Sequence, residues 1–218
     1  MKKYLLLCSI VSAGMFSTAQ AQIKKGAIFL GGDIGGSTAT TESAGVDYSK
    51  QSGFTITPVF GRAIKENLIF GAYGTVAVST YKVYDPSTNS EQKTRGYGGG
   101  FFLRKYKPLG SSGFSVFAEA RAGVLFEKRE DSFAIYANYQ KVKTFSATIT
   151  AYPGLSYTVS RKFQLEAGFN NLLSMKYSRE NRTVGAVNNS VYKTTGFDLY
   201  SSIDNFSSLY LGFRVLLN

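Results

Sequence analysis

Between positions 207 and 218 the chain reads SSLYLGFRVLLN, with Leu209, Leu211, Phe213, Val215 and Leu217 at every second position and Tyr210, Gly212, Arg214 and Leu216 between them. Successive side chains of a strand point to opposite faces, so this spacing predicts a β-strand with one apolar face and one mixed face. The pattern recurs along the chain. Strands are predicted over about 26–38, 53–63, 68–84, 95–107, 114–128, 139–159 and 163–177, and the C-terminal segment is the eighth. In the fifth, Val116, Ala118, Ala120, Ala122, Val124 and Phe126 share a face against Phe117, Glu119, Arg121 and Gly123. In the seventh, Phe163, Leu165, Ala167, Phe169 and Leu173 oppose Gln164, Glu166 and Gly168.

The connections alternate in length. Those at 64–67, 108–113 and 160–162 are short, whereas those at 39–50, 85–94, 129–138 and 178–204 are long and polar. Short turns at one end and long loops at the other are the pattern of outer-membrane barrels. The predicted fold is therefore all-β, an eight-stranded antiparallel transmembrane β-barrel with both termini on the periplasmic side. A soluble eight-stranded barrel is the rival. It needs large apolar residues inside and charges outside, whereas here the apolar faces oppose faces of Gly, Thr, Ser and charged residues. That opposition fits a small polar lumen and an apolar surface toward lipid.

The first 21 residues change the compartment. Lys2 and Lys3 precede an apolar stretch at 4–16, and Ala19-Gln20-Ala21 is a small-x-small cleavage site, so 1–21 reads as a signal peptide and 22–218 as one barrel domain. The apolar run is shorter than the ~20 residues a spanning helix needs. Cys8 is the only cysteine and leaves with the leader. The mature chain then offers no disulfide and no cysteine-based metal site. With no histidine in the chain, histidine-dependent hydrolase or protease chemistry is excluded, and no Ser/Asp/Glu arrangement stands out. No enzymatic activity, cofactor or metal is expected. Gly96 to Gly100 (GYGGG) lacks the Lys-Ser/Thr continuation of a phosphate loop.

Composition agrees with sheet: 23 glycines and 4 prolines, with 17 phenylalanines and 15 tyrosines. The net charge of +11 is scattered, without a Lys/Arg run. Nucleic acid is not an expected partner. Attraction to anionic lipid head groups and simple solubility of exposed loops both account for the charge.

The inward faces collect Asp33, Arg104, Glu119, Arg121, Glu166 and Arg214, three acids and three bases. Buried charges need partners. The eighth strand should neighbour the seventh and the first, which would let Arg214 meet Glu166 or Asp33. Two readings stand: a salt-bridged plug filling a lumen only wide enough for side chains, or an ion gate whose pairs swap partners. Tyr81, Tyr84, Tyr97, Tyr106, Tyr157 and Tyr177 near strand ends suggest interfacial girdles, with ordinary cross-strand packing as the alternative.

Three stretches carry a resemblance: 101–123 (FFLRKYKPLGSSGFSVFAEARAG), 163–169 (FQLEAGF) and 209–213 (LYLGF). Their order behind a signal peptide resembles the small outer-membrane β-barrels of the OmpA/OmpX-like porin family over essentially the whole mature chain. The family usually ends in an aromatic residue, part of its assembly signal, whereas this chain ends Leu216-Leu217-Asn218. The resemblance implies residence in a bacterial outer membrane. It implies contact with outer-membrane lipid and lipopolysaccharide, with periplasmic chaperones and the barrel-assembly machinery, and with a surface ligand through the long loops. The expected role is structural, in membrane integrity and surface interaction. The alternative is a narrow passive channel for ions or small solutes.

Overall fold

The computed structural model describes residues 22–43, 46–84, 90–133, 139–169, 172–185, 190–201 and 209–217. Its regular elements there are all strands: β1 (Ile28–Ser43), β2 (Val46–Lys65), β3 (Leu68–Val83), β4 (Ser90–Pro108), β5 (Phe114–Phe133), β6 (Tyr139–Thr158), β7 (Phe163–Phe169), β8 (Leu173–Gly185), β9 (Ser190–Ser201) and β10 (Leu209–Leu217). They pair antiparallel in the order β5-β4-β3-β2-β1-β10-β7-β6-β8-β9, and a further pairing of β5 with β6 closes the ring.

Ten strands make eight staves. β7 pairs with residues 154–158 of β6 and β8 with residues 139–151 of the same strand, so the two lie end to end. β10 lies against β7, and β9 against β8. Around the end that carries the short turns the ring is complete, with β10 joined to both β7 and β1. At the other end β9 pairs with β8, and β1 beyond Ile34 pairs with β2; among the described residues no pairing joins β9 to β1.

The long polar connections are a correction to the sequence expectation. Much of 39–50, 85–94 and 129–138 is strand, and the expected loop over 178–204 is largely a hairpin of β8 and β9. Outside the apolar belt a hairpin arm needs no apolar face, and β9 is exposed along nearly its whole length. Thr, Ser and Lys then carry no burial penalty, and the ladder still satisfies the backbone. The leader at 1–21 and Asn218 lie outside the described residues.

The apolar parity faces outward. Phe60 is 59% exposed, Phe101 61% and Leu211 67%, and on β5 Phe114, Val116, Val124 and Phe126 are all exposed. At about 3.3 Å per residue and a tilt of about 40°, the stretch from Phe114 to Phe126 rises roughly 30 Å along the barrel axis. That matches the height of a bilayer core. An apolar belt of this extent finds no partner in water.

The opposite parity faces in, and its lower part is more apolar than the expected polar lumen. Phe29, Ile69, Phe102, Phe117 and Tyr106 are buried together there with Ile23, Ala27 and Leu216. The stretch before β1 helps close this end. The Ile23 amide donates to the Asn67 side-chain oxygen at 2.9 Å, and the Asn67 amide donates to the Ile23 carbonyl at 3.0 Å. Asn67 sits in the β2–β3 turn at φ 56°, a conformation Asn tolerates better than most residues. Large inward rings require small partners. A Cβ on Gly154 would lie 2.1 Å from the Phe117 ring.

Candidate functional site

Inward parity on five strands brings all six predicted charges to one level of the lumen. Arg104 (β4) and Glu119 (β5) are direct cross-strand partners, and the Arg104 Nε donates to Glu119 Oε2. Glu119 and Arg121 are two apart on β5, hence on the same face, and Arg121 Nε donates to Glu119 Oε1. Arg214 (β10) stands diagonal to Glu166 (β7) on one side and to Asp33 (β1) on the other. Its Nη2 reaches Glu166 Oε2 at 3.1 Å and Asp33 Oδ1 at 2.5 Å.

Two further links cross the lumen. Arg104 Nη1 donates to Glu166 Oε1 and Oε2 at 2.6 and 2.7 Å. Arg121 Nη2 donates to Asp33 Oδ2 at 3.0 Å. The result is a closed ring, Asp33–Arg121–Glu119–Arg104–Glu166–Arg214, in which every acid bridges two bases and every base two acids. Arg104 and Arg214 are wholly inaccessible, and Glu119 and Glu166 nearly so. Full mutual pairing is the condition under which such burial is tolerated.

Sequence reasoning missed the aromatic frame of this ring. The Arg104 guanidinium lies 4.2 Å from the Phe117 ring centroid and 5.3 Å from that of Phe29. Arg121 lies between Tyr73 at 5.1 Å and Tyr152 at 5.3 Å. Tyr152 donates to Glu119 Oε1, and Tyr106 donates to Glu166 Oε1 at 2.5 Å. Tyr106 therefore leaves the expected girdle. It shares the parity of Arg104, two positions away, and that alternation was the signal for its place. Tyr81 shares the inward parity of Ser79 above the ring, whereas Tyr97 and Tyr177 face outward, 65% and 43% exposed.

Above the ring the lumen opens into a cup of about 430 Å³ whose walls include Ser37, Thr55, Thr57, Ser79, Thr94 and Glu127. Asp33, Arg121 and Tyr210 line it at the level of the ring. Three buried atoms in this zone have no hydrogen-bond partner: Arg104 Nη2, Arg214 Nε and the Tyr210 hydroxyl. The ring carboxylates are all engaged by guanidinium groups. No group of three or more His, Cys, Asp or Glu among the described residues is arranged to hold a metal ion.

No family model matches this sequence, and no curated protein matches it. Solved structures do match the fold. The outer membrane protein OprG from Pseudomonas aeruginosa aligns over 91% of this chain and 99% of its own, with a TM-score of 0.56 at 10% identity. A major outer membrane protein from Thermus thermophilus aligns over 88% of this chain and 98% of its own, with a TM-score of 0.52 at 11% identity. With its closed antiparallel ring, outward apolar belt and a lumen crossed by paired charges, the chain has the fold of the small outer-membrane β-barrels.

Proposed function

We propose that this chain is an integral protein of a bacterial outer membrane, exported by a cleaved leader at 1–21, and that its role is structural and interactive. One observation carries the reading: the six-membered charge ring leaves no accessible surface on Arg104 or Arg214 and nearly none on Glu119 or Glu166. Phe29, Phe102, Tyr106 and Phe117 are buried together beside it. A plugged lumen does not conduct. The work then falls to the apolar belt, which holds the barrel among outer-membrane lipid and lipopolysaccharide, and to the polar hairpin arms, which meet the surroundings. Insertion would rest on periplasmic chaperones and the barrel-assembly machinery. No catalytic role is assigned.

A narrow passive channel for ions or small solutes is the second reading. It is favoured by the polar cup directly above the ring and by the unspent hydrogen-bonding capacity of Arg104, Arg214 and Tyr210. Ring members with spare donors can exchange partners without leaving a charge unpaired.

Single-channel conductance of the refolded mature chain in a planar bilayer, beside Arg214→Ala, decides between them. A folded and silent wild type supports the structural reading. Steady openings that change in the variant overturn it in favour of the channel.

A further inference from the structure

At the level where the apolar belt ends on the hairpin-arm side, the outward parity of three neighbouring staves turns cationic. Arg95 on β4 stands directly opposite Lys128 on β5, and Lys128 directly opposite Lys143 on β6. One row below, Tyr97, Phe126 and Phe145 lie side by side, and Arg179 on β8 is the partner of Phe145. Tyr97 stacks on Phe126 at 5.7 Å, and Phe126 meets Phe145 at 5.2 Å. Between these rows is a cleft of about 620 Å³ with basic side chains along its upper edge and aromatic rings as its walls.

Like charges directly opposite on a sheet repel. Protein charge relieves this row only in part. Lys128 is paired with Glu130, which also faces Lys141 across the strands. Among the described residues Arg95, Lys143 and Arg179 have no ion-pair partner. Glu127 borders the cleft from the lumen-facing parity. Asn181 also lines the cleft, and its buried amide oxygen has no hydrogen-bond donor.

We propose that this cleft binds the head group of a phosphorylated glycolipid in the outer leaflet. A phosphate would sit among Lys128, Lys143 and Arg179. A sugar hydroxyl or amide would donate to Asn181, and the first methylenes of the acyl chains would run down over Phe126 and Phe145 into the belt. Three features of the cleft select this ligand together: an excess of positive charge from Lys143 and Arg179 beside the paired Lys128, an unused acceptor, and an apolar wall continuous with the lipid-facing surface. A phosphate with a simple glycerol head group uses the first and third and leaves the acceptor idle. The inference rests on the outer-membrane reading, which sets the arm end of the barrel in the outer leaflet.

The test uses the mature chain in phosphatidylcholine nanodiscs, with protease protection reporting insertion. Retained lipid is counted by native mass spectrometry during titration with a diphosphoryl lipid A, its dephosphorylated form, and phosphatidylglycerol. The diphosphoryl lipid is expected to bind on the order of tenfold more tightly than either of the others. The variant Lys128→Gln/Lys143→Gln/Arg179→Gln should erase that preference. A control with the same charge loss on other staves, Lys50→Gln/Lys82→Gln/Lys93→Gln, should keep it. Equal retention by both triple variants, or equal binding of the dephosphorylated lipid, would overturn the site. Equal binding of phosphatidylglycerol would overturn the glycolipid assignment. A chain that fails to insert would overturn the membrane reading and the site with it, whereas an inserted chain without the preference loses the site alone.

Discussion

The lumen ring and the outer rim both gather charge, and they treat it in opposite ways. In the ring three acids and three bases neutralise one another out of contact with water, each guanidinium framed by aromatic faces or backbone carbonyls. On the rim at Arg95, Lys128, Lys143 and Arg179 the balance is positive and the side chains stay exposed. The difference is dielectric. A buried charge without a partner costs several kcal/mol, so the interior must be balanced within the chain. At the head-group boundary water and counterions keep the cost of an unpaired lysine small, and an external anion can complete the balance. A balanced network is thus a statement about the inside of the protein, and an unbalanced one a statement about what lies beside it.

The comparison breaks most visibly in the ring. Glu166 serves Arg104 and Arg214 together, so Glu166→Ala takes one partner from each and leaves the buried ring with one positive charge in excess, and a loss of about 3–5 kcal/mol is expected in denaturant unfolding from vesicles. A loss below about 1 kcal/mol would mean that water reaches the ring. The next largest effect moves an arginine to the other face. Ala120 lies between Glu119 and Arg121 in sequence but points to lipid. Ala120→Arg is expected to cost about 2–4 kcal/mol in the same assay, because it places a charge near the middle of the belt. An equally stable variant would contradict the face assignment.

A smaller effect tests the frame of the ring. Gly154→Ala places a methyl against Phe117, the ring over which the Arg104 guanidinium lies. Overpacking of this kind costs about 1–3 kcal/mol. Tyr210→Phe removes a buried hydroxyl that has no partner, and the expected change in unfolding free energy is within about 0.5 kcal/mol of zero. A larger loss would reveal a bond that the hydroxyl makes in the membrane.

The smallest effect belongs to an exposed cluster in which one carboxylate is shared by two lysines. Glu91 lies 3.1 Å from Lys93 and 3.2 Å from Lys82, and these hold its carboxyl below its ordinary value of 4.5. A lowered carboxyl contributes stability that is present above its ordinary range and disappears as pH falls through the lowered value. Wild type and Glu91→Gln should therefore differ only slightly near neutral pH, less still in high salt, and not at all in acid. A difference that grows in acid would reverse the sign of this linkage.

Much of this was legible in the chain, and the reason is local. Strand parity has a period of two residues whatever the fold around it. Alternation alone therefore assigned Val116, Ala118, Ala120, Ala122, Val124 and Phe126 to the outside and placed Asp33, Arg104, Glu119, Arg121, Glu166 and Arg214 within the lumen. Neighbourhood in the ring of staves anticipated that Arg214 would meet Glu166 or Asp33, and it meets both. The same parity held Tyr106 inward, against the expectation drawn from its closeness to a turn. The polar segment at 178–204 reads as irregular loop because it shows no apolar alternation, whereas a hairpin outside the belt needs only a paired backbone.

Closure was decided elsewhere. The links from Arg104 to Glu166 and from Arg121 to Asp33 span 62 and 88 positions and cross the open width of the barrel. No periodicity encodes which inward residues share a level, because that depends on the stagger and tilt of all the staves at once. The sequence by itself determined the faces, the belt and the identity of the inward charges, since each follows from side chains two positions apart. Only the tertiary structure decided that those charges form one closed ring and that three cations on neighbouring strands stand over a shared aromatic cleft. Distances across a lumen and along a rim are set by the register of the whole sheet.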